Sequence, residues 1–148
     1  MFLVGGAVLQ IPASVGEVAD KITILRIKAA RIREDEKLQN IHRELGELER
    51  IFFSRFPDLA HAVHDDIQAL QVINERLWVI EDDIRDCERA GEFGPAFIAL
   101  ARAVYLTNDQ RWQVKRRIDA ALGSLFVEEK SYRDISWEPG SVAADAPG

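Results

Sequence analysis

The chain reads as an all-α protein, an antiparallel helical bundle of four main helices. Three observations predict this. Apolar residues recur at spacings of three and four along most of the length. Helix start and stop signals bracket each periodic run. Strand-like and helix-like segments do not alternate, and there are no internal repeats and no Gly-rich phosphate loop. At 148 residues the chain is the size of one domain with a core of its own.

Ser14 and Glu17 form an S-x-x-E capping box, followed by Val18, Ile22, Leu25, Ala29 and Ile32 along one helical face. The first helix is expected from about residue 15 to about residue 34. A charged turn, Glu34-Asp35-Glu36, leads into a second helix with the stripe Leu38, Ile41, Leu45, Leu48 and Phe52. Pro57 stops it, because proline disfavours α geometry in the residue before it. A third helix, capped by Asp58, carries Leu70, Ile73, Leu77, Ile80, Ile84 and Cys87 and ends at Gly91, which suits a left-handed C-terminal position. It would span roughly thirty residues, about 45 Å. Gly94-Pro95 opens a fourth helix through Phe97, Ala101, Val104, Val114, Ile118 and Leu122 to Gly123. Thr107 and Gln110 form a second capping-box pattern, yet the apolar face keeps its register across Asn108, so one continuous helix is expected. The third and fourth helices make a long hairpin that the shorter first and second cannot cover.

Ala7–Ile11 and Leu125–Glu129 are short extended candidates for a two-stranded cap, a ribbon marginal without support. The domain is placed at residues 1–137. Residues 138–148 (EPGSVAADAPG) read as a disordered tail with little to bury.

Net charge is −6, so the molecule as a whole repels nucleic acid and anionic lipid. No stretch approaches the ~20 apolar residues of a membrane span. The apolar start, MFLVGGAVLQI, lacks the basic opening of a signal peptide. One cysteine, Cys87, excludes an internal disulfide and a thiolate-rich metal site, and a reducing cytoplasmic setting is expected.

Polar residues interrupt the inward faces of the long hairpin. Asn74, Trp78, Glu81, Arg85 and Glu88 run beside the apolar stripe of the third helix, and Asn108, Arg111 and Lys115 break the face of the fourth. Inward charges are costly unless paired. One reading is a salt-bridge layer that sets register, Glu81 with Arg111 or Asp82 with Lys115. The other is an anion pocket with Arg102, Arg111 and Lys115 as donors. The polar layer as a whole comprises Glu81, Asp82, Arg85, Asn108 and Glu128.

Other motifs carry less. The basic runs Arg26–Arg33 and Arg111–Arg117 lie toward helix C-termini, where the dipole favours cations, and Trp112 is the one aromatic in the second. His61-x-x-His64 lacks the further ligands a structural zinc requires, so no metal and no cofactor are expected. Cys87 sits on an apolar stripe, and Ser54, Ser124 and Ser131 have no histidine placed to activate them. Adjacent carboxylates Glu128-Glu129 would serve acid–base chemistry if one were buried. No catalytic residue can be named.

Three blocks carry a resemblance: PASVGEVADKITILRIK (Pro12 to Lys28), LWVIEDDIRDCE (Leu77 to Glu88), and LARAVYLTNDQRWQVKRRID (Leu100 to Asp119) leading to GSLFVEEKSY (Gly123 to Tyr132). They resemble an uncharacterised bacterial family of small helical proteins, the domain of unknown function numbered 6165. The resemblance implies no activity. It implies that the polar blocks include Tyr105, Asp109, Glu129, Lys130 and Tyr132 beside the residues above, and that residues 7 to 12 belong to the mature chain. Family members usually end the last helix in Ile-Asn, whereas this chain has Ile118-Asp119.

Two functions remain open on this reading. The first is a non-enzymatic interaction or accessory protein, a homo-oligomer or bound to a protein partner through the hairpin overhang. The second is a binding protein or enzyme for a small phosphate- or carboxylate-bearing molecule.

Overall fold

A computed structural model describes residues 6–133, apart from the side chains of Leu59 and Ala60. The helices are α1 (Val15–Arg31), α2 (Asp35–Arg55), α3 (Leu59–Ala62), α4 (His64–Ala90) and α5 (Pro95–Leu122). Four are long, as the periodicity predicts. The tail at 138–148 and the end of the 1–137 domain lie outside the described residues.

Most boundaries follow local signals. Ser14 Oγ accepts the Glu17 N–H at 3.2 Å and caps α1. Gly91 and Gly123 close α4 and α5 with φ of 67° and 65°, a region glycine enters without a Cβ penalty. Pro95 stands at the start of α5. The helix α5 runs unbroken through Asn108, as expected from its register.

Two expectations are corrected. The third predicted helix is not one piece, because Val63, with φ −137° and ψ 10°, separates the single turn of α3 from α4. That break turns Val63 into the core, where it is 1% exposed and packs in one cluster with Phe52 and Leu70. The two-stranded cap does not form among the described residues. Ser124 Oγ accepts the Val15 N–H and donates to the Phe126 carbonyl, which pins the chain as it leaves α5. The following segment then runs back along α5, held by Trp112 Nε1–H donating to the Glu128 carbonyl at 3.0 Å.

The long helices α4 and α5, about 40 Å each at 1.5 Å rise per residue, pair as an antiparallel hairpin. The helix α1 packs against both, and α2 packs on α1. This makes α1 the central element, buried on more than one face. Ala19, Ile22, Phe52, Leu70, Ile73, Val114 and Ile118 form the core. Fully buried side chains such as Leu70 and Ile118 contribute ~1.5–3 kcal/mol each. At about 25 Å, α1 leaves the hairpin tip uncovered, and Phe93 and Ile98 there are 54% and 55% exposed. Among the described residues, no helix is long and apolar enough to cross a membrane.

Candidate functional site

The polar residues of α5 meet α1. Beside its apolar stripe, α1 carries a second one, Gly16, Asp20, Thr23 and Ile27, at spacings of four, three and four, and all of it is buried. Gly16 lets the two backbones touch: a Cβ there would lie 2.4 Å from the Lys115 carbonyl oxygen and 3.0 Å from Asp119 Oδ1. The Gly16 N–H instead donates to Asp119 Oδ1 at 2.6 Å. With Ser124 on Val15 and Ser14 on Glu17, the N-terminal donors of α1 are taken up within the fold.

Asp20 is the centre of the seam, 1% exposed. Arg111 donates to it through Nε at 2.9 Å and through a second, shorter bond from the same guanidinium. Asn74 Nδ2 of α4 donates to Asp20 Oδ1 and to Thr23 Oγ1, both at 2.9 Å, and Thr23 Oγ1 donates back to the Asp20 carbonyl at 2.7 Å. One carboxylate thus ties three helices together. The Asp20 carboxylate raises the Arg111 guanidinium above its ordinary value, against the pull of burial.

One turn further along α5, Lys115 is 5% exposed. Its Nζ donates to Glu17 Oε2 at 2.6 Å, and Glu128 Oε2 lies at the same distance as a charge contact without hydrogen-bond alignment. Burial disfavours the ammonium, but Glu128 and Glu17 outweigh it and hold Lys115 above the usual lysine range. Asp119 shows the opposite balance. Burial pushes its carboxyl up, the Gly16 N–H only partly compensates, and Oδ2 is buried with no hydrogen-bond partner among the described residues.

Two cavities open beside this seam and share Asn108 and Arg111. One, about 380 Å³, lies between α5 and the returning segment, and its lining includes Tyr105, Trp112, Lys115, Glu128 and Lys130. The Lys130 ammonium sits over the rings of Trp112 and Tyr132 at 5.9 and 5.8 Å and 3.5 Å from Asp109. The other, about 490 Å³, lies between α1, α4 and α5 and is lined by Lys28, Trp78, Glu81, Asp82 and Arg85 among others.

Of the residues singled out from the sequence, Arg111, Lys115, Asn108 and Glu128 converge at the first cavity, and Glu81, Asp82 and Arg85 join Arg111 and Asn108 at the second. Arg102 does not join them. Nine positions before Arg111 it stands half a turn round the helix, and it is exposed. The expected pairs, Glu81 with Arg111 and Asp82 with Lys115, are replaced. Glu81 binds Arg85 on its own helix, and the partners of Arg111 and Lys115 come from α1 and the returning segment. The reason is that α1 lies against both hairpin helices, so its carboxylates reach α5 first. Asp20 and Thr23 were missed, Glu17 was read only as part of a capping box, and Asp119 only as a departure from the family's Ile-Asn. The small and polar stripe Gly16-Asp20-Thr23 was the available signal, hidden because Glu17 and Asp20 also suit the solvated first turns of a helix.

No match is found among curated proteins, nor among solved structures. A family model does match, over residues 9–144, and its description is a family of unknown function. The match spans the α1–α5 seam and the returning segment alike, so the chain belongs to the family of unknown function DUF6165.

Proposed function

We propose that the chain is a non-enzymatic interaction protein, with the seam as the device that holds the bundle in register and the uncovered hairpin tip as the surface that meets a protein partner. The observation that carries this is the satisfaction of the two inward cations: half-buried Arg111 is forked onto Asp20, and buried Lys115 is shared by Glu17 and Glu128. Charges so paired are not free to receive an anion, and a paired layer suits helix registration. The tip offers Phe93 and Ile98, exposed, with Phe93 edge-on to Phe97 at 5.3 Å. Between residues 81 and 92, six carboxylates face two arginines, so a partner with a basic rim around an apolar centre fits best. The test is co-purification of the tagged chain with proteins of its native host. The expected result is a partner lost in Ile98→Asp and retained in Asn108→Ala. Retention in Ile98→Asp overturns the reading.

A second reading rests on the meeting of two cavities at Asn108 and Arg111. A small molecule bound there would touch Tyr105 and Asn108, which the fold does not need. A thermal-shift screen against nucleotides, sugar phosphates and small carboxylates tests it. At about a hundred times its dissociation constant a ligand adds ~2.7 kcal/mol. A shift abolished by Asn108→Ala would support this reading over the first, and a flat panel would remove it for those compounds.

A further inference from the structure

The end of the bundle opposite the hairpin tip carries a second apolar surface. A groove of about 340 Å³ opens between the start of α1, the end of α2 and the end of α5, walled by Val18, Ile51, Phe56, Leu122, Leu125 and Phe126. Among the described residues Arg55 is the single charged one on its wall, and its guanidinium lies over the Phe56 ring at 5.3 Å. Leu125 and Phe126 are 88% and 50% exposed. From the rim of this groove, at Ala13, the chain extends backward as an arm, residues 6–13, with neither turn nor bend in it. Val8, Leu9 and Ile11 on the arm are 83%, 87% and 75% exposed. No ionisable side chain occurs between Met1 and Gly16.

We propose that this arm seats in the groove of a second copy of the chain, and the second copy's arm in the first, as a two-fold exchange. Arm and groove match in character, both apolar and almost free of charge. They lie at the same end of one molecule, which is the condition for one two-fold axis to satisfy both at once. Pro12 fixes its own φ and holds Ile11 extended, so the arm does not reverse into the groove at whose rim it starts. Eight extended residues reach about 26 Å, beyond the ~20 Å spanned by two helices. The exchange leaves both hairpin tips free, so it stands apart from the proposed partner surface.

The first test is the mass of the full chain in solution by light scattering across a dilution series. A dimer is expected. Leu9→Asp should weaken it by about a hundredfold, roughly tenfold for each of two side chains withdrawn, with the helical circular dichroism unchanged. Ile98→Asp should leave it intact. A monomer at every concentration, or a dimer lost in Ile98→Asp and kept in Leu9→Asp, overturns the proposal. The second test mixes two Cys87→Ser chains, one with Leu9→Cys and one with Leu125→Cys, under mild oxidation. A disulfide joining the two chains is expected. If one chain carrying both cysteines closes its disulfide within a monomer, the arm belongs to its own groove. Binding of a monomeric chain to phosphatidylcholine vesicles, lost in Leu9→Asp, would assign the arm to lipid and overturn the exchange.

Discussion

The Arg111 guanidinium lies forked across the Asp20 carboxylate, joining α5 to α1 over 91 positions of sequence. Asn74 of α4 completes the same carboxylate's bonding. The register of three helices therefore depends on one buried acid.

Removing one partner of that pair should be far costlier than removing both charges. Arg111→Met is expected to lower stability by about 3 kcal/mol, because a buried carboxylate loses its counter-charge. Adding Asp20→Asn should recover much of the loss, since the amide oxygen still accepts from Asn74 while the charge is gone. A double-mutant cycle in urea measures the coupling. Additive losses would show that the pair does not act as a unit.

Gly16 and Gly46 should respond in opposite directions to the same methyl group. Gly16→Ala drives a Cβ into the Lys115 carbonyl, parts α1 from α5 and costs ~1–3 kcal/mol. Gly46, inside α2, has nothing within 4 Å of a Cβ. Gly46→Ala should stabilise by roughly 0.5–1 kcal/mol. Paired thermal melts decide, and equal effects would contradict the close approach at Gly16.

Asp119 predicts a pH dependence of defined sign. Its carboxyl is raised in the folded chain, by burial above all, so the folded chain holds a proton that the unfolded chain gives up. Its contribution is neutral below the ordinary aspartate value of 3.8, falls as pH rises through the folded value, and stays unfavourable above it. Asp119→Asn keeps an acceptor for the Gly16 N–H and removes the ionisation. The substitution should raise the melting temperature at neutral pH, with an advantage that vanishes at low pH. A melting temperature lowered equally at all pH values would refute this.

The Glu81–Arg85 pair, exposed on one helix, should matter little. Glu81→Gln is expected to change stability by less than about 0.5 kcal/mol. A loss of several times that would revive Glu81 as a member of the buried layer.

Helix content, most helix ends and the core stripes were legible from the residues because each depends on neighbours within a few positions. Ser14 caps, Gly91 and Gly123 terminate, and Leu70, Ile73 and Ile80 mark the inward side of α4 through the 3.6-residue period alone. The awkward inward cations Arg111 and Lys115 were equally visible, since a charge on an apolar stripe is a local anomaly. Apart from Glu128, already placed in the polar layer, their partners were not. Asp20 and Glu17 lie some ninety positions away, and which acid reaches a cation depends on how α1 lies against the hairpin. That placement follows from the close approach at Gly16 and the packing of α1 against both long helices, a matter of interhelical distance that no periodicity encodes. The same is true of Val63: its apolarity was plain in the chain, but the break that turns it inward comes from packing with the Phe52 cluster. Local chemistry settled what each segment is; contacts between distant segments settled which charges meet.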